Sequence, residues 1–384
     1  MTPASRHAAA IEVLDRVLAG EAAEKALTSW ARGSRFAGSG DRAAVRDIVF
    51  DALRCRASHA ALGGGLTGRG LVLGGLRERG VDPAEIFTGA RHAPPPLSAE
   101  EAQGGRVPGR IEALDCPDWL VPELEASLGP DFAPVMTALR RRAPVQLRVN
   151  LRKATREAAA DRLAADGIAT APSLLSPTAL EVTAGTRAVQ GSAAYAEGWV
   201  ELQDAASQAA ADTLPVAAGA RVLDFCAGGG GKTLAIAGRA EARFFAHDAA
   251  PRRMADLPAR AARAGVSVRL LGNPAEAAPY DLVLCDAPCS GSGAWRRAPE
   301  AKWRLDRAGL DRLIALQAAI LDAAAPLVAP GGVLAYATCS VIEAENGAQV
   351  AAFLGRTPGW RPAGAWRWLP GDGGDGFFIA HLTR

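Results

Sequence analysis

Two cysteines stand where a thiol can do chemistry. Cys289 lies in "DAPCSGSG" and Cys339 in "YATCSVIEAEN", each just after an apolar, strand-like run. A free cysteine is more often a small packing residue than a nucleophile. Two of them in polar loops, at the ends of strands that are consecutive in the chain, would face one cleft. Asp286, three residues before Cys289, adds a carboxylate. One chemistry that uses two thiols and a carboxylate is substitution at C5 of a cytosine, a carbon that is not nucleophilic in the aromatic ring. A thiolate adding to C6 makes C5 enamine-like, and a carboxyl group at N3 stabilises the charge that develops. A base must then take the C5 proton so that the thiol can leave.

A glycine-rich loop precedes this pair. "LDFCAGGGGKT" ends one apolar run and opens a helical one, so backbone can approach a ligand closely. A phosphate loop of the form G-x-x-x-x-G-K-[ST] fits Gly231, Lys232 and Thr233 but needs glycine where Cys226 stands. The dinucleotide pattern G-x-G-x-x-G fits Gly228 and Gly230 and fails at Thr233. The third option is a nucleoside cofactor without a pyrophosphate. Asp224 ends the first strand and Asp248 the second, 24 residues later; a carboxylate there can accept from both ribose hydroxyls. The combination suits S-adenosylmethionine, whose sulfonium and amino groups favour acidic neighbours.

The elements that must position these residues follow from periodicity. From about 205 the chain reads strand, loop, helix in repetition, with strands at 220–227, 243–248, 266–271, 280–288 and 331–340 and helices at 232–240, 251–264, 306–328 and 343–354. That pattern predicts a parallel sheet covered on both faces, with ligands beyond the carboxyl ends of its strands. The tail "DGGDGFFIAHLTR" predicts one more strand at the sheet edge. Residues 1–65 read as helices, with Ala10, Ile11, Leu14, Val17 and Leu18 on one face and Asp41 capping "DRAAVRDIVFDALR". A proline- and glycine-rich stretch at 91–110 predicts the end of a first domain. The domains expected are 1–110, 111–200 and 201–384. Within the middle one, "RRRAPVQLRVNLRKATR" has seven basic residues and no acid, with Arg148 on one strand face, which predicts an anionic partner.

The 384 residues are 49% hydrophobic and 22% charged with a formal net charge of +2, so local clustering rather than overall charge must identify partners. No apolar run reaches membrane-spanning length, and acids interrupt the first apolar positions, against a signal peptide. The six cysteines form no C-x-x-C pair, which speaks against zinc or a disulfide framework and for a cytoplasmic protein.

"DAPCSGSG", "TCS" and "DFCAGGGGKT" resemble the RNA 5-methylcytosine methyltransferases, in particular their bacterial Sun/RsmB branch. "LQDAASQ" (202–208) matches the motif leading into that family's catalytic domain, and the resemblance runs from about 115 to the C-terminus. It implies an α/β fold class: a Rossmann-like methyltransferase domain on a mostly parallel, doubly wound sheet, after a small α+β domain and an all-helical, NusB-like RNA-binding domain. It also implies that Cys339 attacks C6, that Cys289 promotes product release, and that Asp286 holds the cytosine. Lys232 becomes a cleft residue whose charge can lower a nearby thiol's pKa. The expected S-adenosylmethionine contacts are Asp224, Cys226, Ala227, Gly228, Gly230, Gly231, Lys232, Asp248, Arg253, Asn273 and Asp286. "WRRAPEAKWR" (295–304) corresponds to the segment facing the target nucleotide. Arg297, Lys302 and Arg304, with Arg148, are therefore expected on RNA phosphates while Trp295 or Trp303 stacks on a base. Two departures, Gly228-Gly229 for alanine-proline and Asn273 for aspartate, predict weaker cofactor binding. The expectation is a monomeric cytoplasmic enzyme that methylates small-subunit ribosomal RNA without a metal. A tRNA substrate, or a non-catalytic RNA-binding assembly factor, are the competing readings.

Overall fold

The computed structural model describes all 384 residues, which separate into two compact units. The first unit comprises Met1–Glu125, Gly129–Arg142 and Trp295–Arg304. Its core is built by α1 (Pro3–Leu18), α2 (Ala23–Gly33), α3 (Ser39–Arg54), α4 (Arg56–Gly63) and α5 (Gly68–Glu78). Leu14 and Val17 of α1 are buried against the same core as Val45, Val49 and Leu53 of α3. Asp41 is not the cap of α3, which begins two residues earlier; it lies in the first turn and reaches back to the backbone N–H of Gly38 at 3.2 Å.

This unit runs past the boundary expected at 110, for an electrostatic reason. Asp115 is fully buried and accepts hydrogen bonds from Ala57 N, Ser58 N, Ser58 Oγ and Arg140 Nε at 2.8, 3.0, 2.8 and 2.7 Å. One carboxylate thereby holds the start of α4 and the segment that ends at Arg142. Trp295–Arg304 completes the unit: Lys302 Nζ donates to Arg54 O at 3.1 Å, Trp303 Nε1 to Leu53 O at 2.7 Å, and Arg54 Nε to Arg296 O at 2.8 Å.

The second unit (Ala126–Leu128, Ala143–Ala294, Leu305–Arg384) carries two sheets. An antiparallel sheet of β1 (Gln146–Val149), β2 (Ala169–Pro172), β3 (Ala179–Ala184) and β4 (Val200–Leu202) has the order β2-β3-β1-β4. The larger sheet contains β5 (Arg221–Asp224), β6 (Arg243–Ala246), β7 (Val268–Leu270), β8 (Tyr280–Asp286), β9 (Val328–Thr338), β10 (Arg361–Trp368) and β11 (Phe377–Thr383), ordered β10-β11-β9-β8-β5-β6-β7. The five strands β5 to β9 run parallel. Leu282–Cys285 and Leu334–Ala337 are fully buried, as strands covered on both faces must be.

The tail strand is not the edge expected of it. Phe377–Leu382 is a continuous buried run, and β11 lies antiparallel between β9 and β10. The edge is β10, "RPAGAWRW", whose Pro362 and Gly364 mask a strand in the sequence and are tolerated where the ladder has a free side. The 251–264 helix divides into a 3-10 turn (Pro251–Met254) and a helix (Leu257–Ala264), and the 343–354 helix opens as a 3-10 turn, Glu343–Glu345. No helix is long and apolar enough to cross a membrane.

Candidate active site

Strands β8 and β9 are parallel neighbours with Asp286 opposite Ala337, so the loops that follow them lie side by side. Cys289 Sγ and Cys339 Sγ are 3.5 Å apart. The loops are stitched together by Gly293 N to Cys339 O at 3.0 Å, Val341 N to Ser292 Oγ at 2.9 Å, and a 2.9 Å bond between Ser292 Oγ and Ser340 Oγ. Lys232, at the start of the helix Gly231–Ala237, donates to Asp286 Oδ2 at 2.6 Å, with its ammonium 4.5 Å from the centre of the Phe377 ring. The thiols differ. Cys339 is held below the ordinary thiol range, chiefly by the S–H it receives from Cys289, with Lys232 adding to the effect. Cys289 is pushed well above that range by the same bond and by burial. Burial raises Cys226 and Cys285 as well, and pushes Cys55 and Cys116 up to about 12. Cys55, Cys116 and Cys285 are buried, and Cys226 is half-buried at the start of the glycine loop. Ligand atoms of Cys55, His59 and Glu78 lie within 4.8 Å of one another, but the Arg140 guanidinium already pairs with Glu78 there.

The glycine loop after β5 needs glycine at two positions with positive φ, Gly228 (51°) and Gly230 (77°). A Cβ on Gly230 would stand 2.2 Å from Leu257 Cδ1. Asp248, 3% exposed, accepts Gly228 N at 2.9 Å and Ala250 N at 2.8 Å, and Arg253 Nη1 lies 3.1 Å from it. Ala227 N bonds His247 O at 2.9 Å, fixing the loop to the end of β6. Asp224, 1% exposed, accepts Thr233 Oγ1 at 2.7 Å on Oδ2, while its buried Oδ1 has no partner. Burial, opposed by the Thr233 bond, pushes its carboxyl up to about 6. An orphaned carboxylate oxygen beside a glycine loop suits a ligand bearing an ammonium or sulfonium group. These residues fit S-adenosylmethionine. Asn273 is exposed, and its Oδ1 accepts Ala275 N at 3.1 Å, so the carbonyl expected for adenine caps a turn instead.

The residues expected on RNA are placed differently. Arg148 is 5% exposed; it donates to Gly231 O at 2.9 Å and to Gln203 Oε1, and so braces the glycine loop. Lys302 is 1% exposed, and burial lowers its pKa to about 8, so it is an internal anchor and not a phosphate contact. Trp295 is equally buried and the Trp303 indole is bonded to Leu53, so neither is an open stacking platform. Arg297 and Arg304 are exposed, Arg304 paired with Glu300 at 2.5 Å. The basic run that contains Arg148 is largely neutralised from a distance. Arg140 pairs with Asp115, Arg142 with Asp47 and Arg152 with Glu241, and Lys153 donates to the carbonyls of Glu197 and Arg263. Glu345, which nothing in the motif reading singled out, is fully buried beneath the two cysteine loops. The only signal for it in the sequence is its place in "VIEAEN", three residues after an apolar pair and six after Cys339, and Glu343 shares that signal without being buried.

The family model "16S rRNA methyltransferase RsmB/F" matches residues 211–383, and a "RsmF/B-like, ferredoxin-like domain" matches 116–189. Ribosomal RNA small subunit methyltransferase B of Xylella fastidiosa is 37% identical over 303 residues, covering 74% of this chain and 70% of the relative. Its counterpart in Salmonella arizonae is 38% identical over 287 residues, 70% of this chain and 66% of the relative. Among solved structures, that of PH0851 aligns over 100% of this chain and 99% of its own with a TM-score of 0.78 at 24% identity. NSun6 from Pyrococcus horikoshii, solved with SFG, aligns over 70% of this chain and 98% of its own with a TM-score of 0.62 at 19% identity. At these identities the two structures establish the fold.

Proposed function

Because the chain belongs to the 16S rRNA methyltransferase RsmB/F family, we propose that this site methylates C5 of a cytosine in small-subunit ribosomal RNA through a covalent adduct on Cys339. RNA methylation from S-adenosylmethionine is the activity of the family; the covalent route and the residue roles are our reading. The observation that carries it is the pair of sulfurs 3.5 Å apart beside the Lys232–Asp286 ion pair. Held by the glycine loop, Asp224 and Asp248, S-adenosylmethionine supplies an electrophilic methyl group. Cys339, the more acidic thiol, forms a bond from Sγ to C6 as the C5–C6 π electrons move onto the ring. Asp286 takes a proton from Lys232 across their 2.6 Å contact and donates it to N3, which takes up the displaced electron pair. Returning through C5, that pair forms the bond to the cofactor's methyl group as the methyl–sulfur bond breaks and leaves a neutral thioether. Once bonded to carbon, Cys339 no longer accepts the S–H of Cys289. Cys289 then loses its proton to solvent and takes the C5 proton. The C–H electron pair restores the double bond as the Sγ–C6 bond breaks and expels Cys339 as thiolate, and N3 returns its proton to Asp286. A ribosomal RNA substrate implies the cytoplasm, and we take the active form to be a monomer.

The test is transfer from labelled cofactor to unmodified ribosomal RNA and tRNA. Cys339→Ala is expected to abolish transfer, and Cys289→Ala to accumulate a protein–RNA adduct that survives denaturant. An adduct trapped by Cys339→Ala instead would invert the thiol roles. Transfer to tRNA alone would replace the substrate, and a wild type that binds cofactor yet methylates no RNA would leave an assembly factor.

A further inference from the structure

Three of the four donors to the Glu345 carboxylate belong to the residues that follow the two cysteines. Its Oε1 accepts Ser290 N at 2.8 Å and its Oε2 accepts Ser290 Oγ at 2.5 Å, and Ser290 follows Cys289. The same Oε2 accepts Ser340 Oγ at 2.6 Å, and Ser340 follows Cys339. Gln317, from the helix Arg307–Ala324, donates Nε2 to Oε1 at 3.0 Å and to Pro288 O at 2.9 Å, which ties in the residue before Cys289. The carbonyl of Glu345 accepts the Tyr336 hydroxyl at 2.6 Å, anchoring the turn on β9. Burying a carboxylate is costly unless its lone pairs are met, and four donors meet this one. Packing alone would be served by an uncharged side chain.

We propose that Glu345 is a positioning residue that sets the separation of the two thiols, clamping both cysteine loops to one carboxylate so that Cys339 and Cys289 reach the same ring in succession. The proposal rests on the two-thiol reading above. None of the hydrogen bonds of Glu345 reaches a sulfur. Its hydrogen bonds therefore act through the loops, and its charge also raises both thiols. Both effects fall on turnover and leave the binding of cofactor and RNA in place.

Phenylarsine oxide tests the separation without RNA. It bridges two thiols through As–S bonds and releases water, with no change of oxidation state. In the full-length protein, one arsenical is expected to shield Cys289 and Cys339 together from alkylation, read by peptide mass. Glu345→Gln should weaken that capture about tenfold, as loss of a preset second contact does. In methyl transfer it should lower kcat about a hundredfold, the scale of a 1 Å misplacement, with both KM values unchanged. Ser340→Ala, which keeps the charge and removes the hydroxyl's bonds to Glu345, Ser292 and Ile342 N, should act in the same direction and serves if Glu345→Gln does not fold. A folded Glu345→Gln protein with wild-type capture and wild-type kcat overturns the clamp. Transfer surviving Cys339→Ala would overturn the two-thiol reading alone, since the arsenical still reports the separation.

Discussion

Asp224 carries a cost that its site explains. Its carboxyl is raised from 3.8 to about 6, first by burial, and one oxygen has no partner. A carboxyl whose folded pKa lies above its unfolded value contributes stability that is present below the unfolded value and is lost as pH rises through the folded one. The cofactor-free protein should therefore lose about 3 kcal/mol through this group between roughly pH 4 and pH 7, at ~1.4 kcal/mol per unit. Asp224→Asn can still accept from Thr233 but has no charge to bury. Its denaturant-unfolding free energy should gain that much on the wild type across the same pH range. The rise in melting temperature that S-adenosylmethionine gives the wild type should vanish in the variant. Parallel pH profiles for the two proteins would show that the orphaned oxygen is not a strained charge.

Local composition made some elements legible and hid others. Four of the five parallel strands announce themselves as short apolar runs ending in Asp224, Asp248 or the cysteine loops, and the fifth is the run at 266–271. The structure forms all five in the order β9-β8-β5-β6-β7. Strand β10 was illegible because proline and glycine interrupt it, and its neighbour β11 was misplaced as a result. The basic run at 140–156 misled for a different reason: its counter-charges Asp47, Asp115 and Glu241 are far away in sequence, and pairing over that distance leaves no local mark. Glu345 was hidden likewise, since one acid shows its partners only once two strand ends are adjacent. Arg148 turns this lesson into a test. Its bonds to Gly231 O and Gln203 make it a support of the cofactor loop from β1. Arg148→Met should raise the KM for S-adenosylmethionine about tenfold or more, the scale for losing a charged hydrogen bond. The salt dependence of RNA binding should stay the same. A flatter salt slope with unchanged cofactor KM would return Arg148 to the phosphate role its sequence suggested.

At the scale of the whole molecule, the order of the chain and the order of its units differ. The N-terminal unit takes residues from three stretches of sequence, and the last, Trp295–Arg304, begins six residues after Cys289. Lys302 and Trp303 have their backbone acceptors on α3, at Arg54 and Leu53. A cut at residue 142, where the N-terminal run of the first unit ends, therefore strands the buried Lys302 and Trp295 and the half-buried Trp303 in the wrong piece. The fragment 143–384 retains six of the eight tryptophans, Trp295 and Trp303 among them. Losing the partners of Trp303 and Lys302 should cost several kcal/mol, which for a chain of this size lowers Tm by roughly 10 °C. The fragment should also emit at longer wavelength than the full chain, and its methyl transfer should fall because the segment leaving the cysteine loop has lost its anchor. If the fragment melts with the full chain's Tm, emission and activity, the 295–304 segment holds its shape without α3, and the two units fold independently after all.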